Sequence, residues 1–130
     1  MTKVMVFGTF DIIHPGHIHM LKEAKQYGDY LIVAVARDKT VCDVKGRPSK
    51  NDEGTRLRNI LNLHLADKVR LGCLEDKYQA VREEDPDIIA LGYDQSAFVD
   101  NLAEAIRPDA KIVRLQPYMP DLYKSSKMII

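Results

Sequence analysis

Short apolar runs recur along the chain at Lys3–Phe7, Tyr30–Ala36, Lys68–Gly72, Asp87–Leu91 and Lys111–Leu115. Each is rich in Val, Ile or Leu with little polar alternation, the pattern of strands covered on both faces. Between them, apolar residues recur at helical spacing over Gly16–Tyr27, Asp52–Leu63, Lys77–Glu84 and Ser96–Ile106, and a short terminal helix is expected near Ser125–Ile130. Strands alternating with helices in this way read as successive right-handed βαβ units. The pattern predicts an α/β, Rossmann-like fold, a five-stranded parallel sheet with helices on both faces. Pro86 and Pro108 punctuate the approaches to the fourth and fifth strands. No internal repeat, low-complexity stretch or linker breaks the alternation, so a single domain over residues 1–130 is expected.

Composition narrows the partners. The 130 residues include 19 basic and 19 acidic side chains, a formal charge of zero. A nucleic-acid partner, which usually demands a basic excess, is therefore not expected. No apolar run approaches the roughly 18 residues of a membrane span, and the N-terminus carries no secretory pattern, so a cytoplasmic protein is expected. Cys42 and Cys73 fit no metal-ligand spacing and read as ordinary reduced thiols.

The chemistry gathers at the strand exits, where parallel sheets bind ligands. Gly8-Thr9-Phe10-Asp11-Ile12-Ile13-His14-Pro15-Gly16-His17 links the first strand to the first helix. Free backbone amides at such a helix start attract anions. His14 and His17 are placed to face the same site, and imidazoles donate hydrogen bonds to phosphate oxygens. Gly8 and Gly16 suit close approach of backbone to phosphate, while Asp11 reads equally as a brace for the turn and as a ligand contact. His19, two residues past His17, faces elsewhere on a helix. His64 reads as structural at a helix end. Lys22 reads equally as a phosphate contact and as a helix-surface ion pair. Further polar segments follow the later strands: Arg37-Asp38, Lys45-Gly46-Arg47-Pro48 in a loop, Gly92-Tyr93-Asp94-Gln95, and Tyr118 to Ser126.

The Gly8–Asp11 and His14–His17 motifs resemble the signature of the cytidylyltransferase-like nucleotidyltransferases, and the likeness runs from Lys3 to about Ile129. The resemblance implies transfer of a nucleoside monophosphate to a phosphorylated acceptor, with release of pyrophosphate. It assigns His14 and His17 to catalysis, and Gly8, Thr9, Phe10 and Gly16 to the nucleotide site. Lys45 resembles the family's basic loop over the acceptor phosphate or triphosphate tail. Arg56 matches an arginine that faces the acceptor phosphate from a polar helix face, whereas Arg58 faces elsewhere. Gly92 and Asp94 resemble the Gly-x-Asp turn at the ribose or base edge, and Asp94 is equally suited to cap the helix beginning near Ser96. Ser125 and Ser126 resemble the hydroxyl pair that caps a helix at the triphosphate.

Three acceptors fit the resemblance: FMN with ATP, glycerol 3-phosphate with CTP, and a heptose phosphate with ATP. An arginine that glycerol-phosphate enzymes carry is absent from Tyr118-Met119-Pro120-Asp121. Heptose enzymes show Gly-Gly-Asp-Tyr where this chain has Gly-Tyr-Asp-Gln. The segments Val35–Val41, Lys45–Arg47, Asp85–Gln95 and Lys124–Ser126 are most similar to the archaeal-type FAD synthases. That likeness implies ATP and FMN as substrates. Mg²⁺ or another divalent cation is expected to be held mainly by the nucleotide phosphates, with no protein metal site, because the chain offers no dense carboxylate cluster there. Small members of the superfamily are commonly homodimers, and the resemblance implies a homodimer here. A non-catalytic nucleotide sensor is the contrasting reading; the intact His17 and basic loop argue against it.

Overall fold

The apolar runs become β1 (Lys3–Gly8), β2 (Tyr30–Val35), β3 (Lys68–Leu71), β4 (Ile88–Leu91) and β5 (Lys111–Arg114). The structure, a computed structural model, describes residues 1–73, 78–92, 106 and 108–115. The five strands form one sheet in the order β3-β2-β1-β4-β5, and every neighbouring pair is parallel. The β1–β2 register runs from Lys3 opposite Tyr30 to Gly8 opposite Val35. The chain builds outward from β1 in one direction, then returns to start β4 on its other side. The switch point lies between β1 and β4, where the exit of β1 opens a crevice.

Helices α1 (Pro15–Lys25), α2 (Asp38–Lys45), α3 (Glu53–Leu61) and α4 (Gln79–Glu84) connect the strands. Side chains alternate across the sheet, as pleating requires. Val4, Val6, Leu31, Val33 and Val35 pack with Leu21 and Ala24 of α1 and Ile60 of α3. On the opposite face Met5, Ile32 and Ala34 pack with Ala80, and Ile89 and Leu91 pack with Val81, both from α4. Helices therefore cover both faces, as the alternation of runs predicts.

At the strand starts the sheet is stitched by aspartates. Asp29, Asp67 and Asp87 each directly precede a strand, and their carboxylates accept from Thr2 N (3.1 Å), Leu31 N (2.8 Å) and Lys3 N (2.8 Å). Lys25 pairs with the same Asp67 carboxylate from the end of α1. This edge is committed to holding strands together, which leaves the opposite edge for chemistry.

One element was not foreseen. Helix α2, which the pattern does not predict, follows β2 and ends at Lys45, so of the expected loop Lys45–Pro48 only Lys45 is helical while Gly46, Arg47 and Pro48 lie beyond the helix. Gly46 closes it in the left-handed conformation (φ 76°), a backbone state glycine adopts without strain. Among the expected helices, Ser96–Ile106 is described only at Ile106, and Ser125–Ile130 lies outside the described residues.

Candidate active site

The turn after β1 is shaped by its own aromatic rings. Phe10 adopts a left-handed backbone (φ 52°), a region costly for a bulky residue, and its side chain is buried at 3% exposure. A Cβ on Gly8 would lie 2.7 Å from the Phe10 ring, and one on Gly16 would lie 2.8 Å from His14 Cε1. The space at both glycines is thus taken up by side chains of the protein itself. Gly8 and Gly16 make room for Phe10 and His14, where the sequence points to close approach of backbone to phosphate.

His14 is the N-cap of α1. Its Nδ1 accepts from Gly16 N at 3.0 Å, which leaves the proton of the neutral ring on Nε2 as a donor. Pro15 has no amide proton, and His14 O accepts from His17 N (3.0 Å) and Ile18 N (3.3 Å). The helix start therefore does not present free amides, correcting the expectation of a ready-made anion hole. What remains at that start is the positive end of the helix dipole and the two imidazoles.

Those imidazoles stack, with centroids 3.8 Å apart and planes inclined by 22°. Phe10 meets His17 edge-on at 5.3 Å. His17 is held between them, its Nδ1 buried without a hydrogen bond. Burial lowers the His17 pKa from 6.5 to about 4, helped by the neighbouring His14 and Lys45. The Ile12 carbonyl pulls the other way without reaching hydrogen-bond geometry. His17 is thus a neutral imidazole at neutral pH.

Beside the turn, Lys45, Arg47 and Lys50 line a shallow cavity with Asp11, Val41, Pro48 and Ser49. Lys45 had been expected in this setting. Arg47 belongs to the same expected basic segment; Lys50 is the addition, although three cations within six positions around Gly46 and Pro48 are a signal legible in the sequence. Asp11 is the brace that its position suggested: its carboxylate accepts from Lys50 N and Asn51 N, both at 2.8 Å. Those amide bonds hold its pKa below the usual carboxylate value. Asn51 Nδ2 returns a bond to Asp11 O at 2.7 Å.

Arg56 departs most from expectation. It is fully buried, and its guanidinium donates to Asn51 O (3.0 Å), Thr9 O (2.8 Å) and Asp38 Oδ1 (2.7 Å). It does not stand on a polar helix face toward an acceptor phosphate, because it shares the inward face of α3 with Ile60. Thr9 meets this arginine through its carbonyl. Gly92 lies at the exit of β4, where its carbonyl accepts from Arg114 Nη1 at 2.8 Å. Asp94, Ser125 and Ser126 lie outside the described residues. His19 sits 3.4 Å from Glu23 one turn along α1, away from the stacked pair.

Residues 5–130 match the family model described as Cytidylyltransferase-like. The chain belongs to that family. Among cytidylyltransferase-like relatives, the FAD synthase of Thermoplasma volcanium is 44% identical over 131 residues, covering 98% of this chain and 92% of the relative. The FAD synthase of Archaeoglobus profundus is also 44% identical, covering 100% of this chain and 84% of its own length. A crystal structure from Thermoplasma volcanium, described as a lipopolysaccharide core biosynthesis protein, superposes with a TM-score of 0.81 at 43% identity, covering 91% of this chain and 98% of that one.

Proposed function

We propose that this chain transfers AMP from ATP to FMN, giving FAD and pyrophosphate. What carries the reading is whole-length likeness to proteins named FAD synthase in a chain that keeps the stacked histidine turn. An oxygen of the FMN phosphate attacks the α-phosphorus of ATP, and the bond to the β-phosphate breaks. Charge grows on the α-phosphoryl oxygens and on the leaving pyrophosphate, so positioning and charge stabilisation are the main catalytic work. His14 Nε2–H and the neutral His17 ring supply donors, and Lys45 supplies positive charge beside them. Gly92, Asp94, Ser125 and Ser126 are proposed nucleotide contacts by resemblance.

Mg²⁺ or another divalent cation is proposed to arrive on the nucleotide, where it draws charge from the phosphates. Among the described residues no three His, Cys, Asp or Glu side chains gather as a cation cage, and the Asp11 carboxylate in the turn is engaged by backbone amides. A homodimer in the cytoplasm is the proposed working form. Among the described residues no helix is long and apolar enough to cross a membrane.

A sugar-phosphate acceptor is the second reading, favoured by the description of the Thermoplasma volcanium structure. ATP and CTP are each mixed with FMN, glycerol 3-phosphate and heptose phosphate, and the products separated by chromatography. FAD from ATP and FMN is expected, with CTP poor and glycerol 3-phosphate inert. CDP-glycerol or ADP-heptose without FAD overturns the flavin assignment and leaves the family standing.

A further inference from the structure

Arg56 is surrounded by segments of the site. Two of its bonds clamp the ends of one excursion of the chain: Asp38 Oδ1, at the first residue of α2, and Asn51 O, just past the basic loop. Lys45, Arg47 and Lys50 all lie between these two anchor points. The third bond goes to Thr9 O, in the turn that leads to His14 and His17. We propose that Arg56 is a positioning residue: it fixes where the cations of the excursion stand relative to the stacked histidines. This rests on the adenylyl-transfer reading.

Several bonds around the hub tighten the same joint. Asp11 ties Lys50 N and Asn51 N to the turn, and Ser49 Oγ donates to Asn51 O at 2.7 Å. At the other anchor Glu53 accepts from Asp38 N (2.9 Å) and Arg37 Nη1 (3.1 Å), while Arg37 Nε donates to Gly72 O (2.8 Å). A residue needed only to fill this face of α3 is better aliphatic, as Ile60 is one turn on, because a buried guanidinium loses its hydration. None of the three acceptors belongs to a strand or to the interior of a helix. The Asp38 side chain stays 47% exposed, so Arg56 reaches from the core to the rim of the site. Misplacing a charge by a fraction of a helical turn is enough to slow a reaction that depends on positioning.

The test uses the full chain with Arg56→Lys, Asn51→Ala and the double variant, each verified as folded by a cooperative melt. FAD formation is then resolved into kcat and KM for ATP. Arg56→Lys is expected to lower kcat by about tenfold or more, with KM for ATP changed by less than about threefold. Asn51→Ala is expected to lower kcat as well, and the double variant to be no slower than Arg56→Lys alone, because both changes loosen one joint. Unchanged kcat per folded molecule, even with a lowered melting temperature, overturns the proposal and makes Arg56 a fold clip. Losses that multiply overturn it too, since they place the residues in separate roles. If Arg56→Lys does not fold, Asp11→Ala replaces it in the cycle and the same two outcomes decide. A wild-type chain that makes no FAD overturns only the flavin reading; the cycle is then read on pyrophosphate release with the acceptor that chain does use.

Discussion

His17 shows how the neighbours of one ring set its chemistry. Phe10 on its edge and His14 on its face strip away water, and a charged imidazole is disfavoured there. Its pKa falls to about 4 from an ordinary 6.5. The unfolded chain therefore takes up a proton at His17 before the folded one does. The stability linked to this group is full above pH 6.5 and is lost progressively as pH falls from 6.5 toward 4. Between pH 5 and 8 the ring is expected to stay neutral, so protonation of His17 sets no acid limb in that range. NMR of the histidine ring protons checks this. A His17 resonance titrating near 6.5 would show that the sandwich does not control the ring. Arg56 shows what the sequence could not disclose at this scale. It follows Glu53 and Thr55 in a polar-looking stretch, and its acceptors at Thr9 and Asp38 are distant in sequence. Only the tertiary structure reveals that an arginine faces inward there.

The strands were legible because Val, Ile and Leu runs buried on both faces have few competing readings, and their observed limits differ from the expected ones by a residue at most. Helices α1 and α3 were legible for a related reason: Leu21 and Ala24, and Ile60, recur at helical spacing against the sheet. Helix α2 was not. Its eight residues, Asp-Lys-Thr-Val-Cys-Asp-Val-Lys, include β-branched positions, and its N-cap Arg37 makes no side-chain capping bond. Tertiary bonds at Asp38 and Gly46 in the left-handed region define its ends instead. The α1–β2 connection carries a further constraint that pattern reading passes over. Asp29 N and Tyr30 N both donate to Thr2 O, at 2.9 and 3.1 Å, and a Cβ on Gly28 would stand 2.5 Å from that same oxygen. The obstacle is backbone and cannot swing aside. Gly28→Ala is expected to destabilise the fold by about 1–3 kcal/mol. Because this edge lies opposite the site, kcat per folded molecule should hold. Denaturant unfolding checks the first part, and a melting curve matching the unsubstituted chain would count against the packing argument.

Across the whole molecule, charge is balanced overall and uneven locally. Basic and acidic residues number 19 each, yet Lys45, Arg47 and Lys50 crowd the cavity beside the histidine turn. The aspartates at the strand starts work at the other end of the sheet, where Asp29, Asp67 and Asp87 stitch the strands. This polarity gives anionic substrates a local attraction without a general affinity for polyanions. The three cations are exposed, and salt screens exposed charges over a Debye length of about 10 Å at 0.1 M. Binding is therefore expected to weaken as salt rises, while the step at the histidine pair, of which His17 is partly buried, changes less. Raising salt from about 0.05 to 0.5 M should increase KM for the anionic substrates severalfold and lower kcat by less. Phosphates already bound meet the cations at close range, where added ions screen little. Lys45→Ala should raise KM at low salt and flatten the salt response, because one source of the field is gone. Its melting temperature should stay close to that of the unsubstituted chain, since an exposed helix end usually contributes under about 0.5 kcal/mol. Steady-state kinetics at matched ionic strengths, alongside melting curves, resolve the matter. A salt response identical in both proteins would mean that Lys45 does not act on the substrates through its charge.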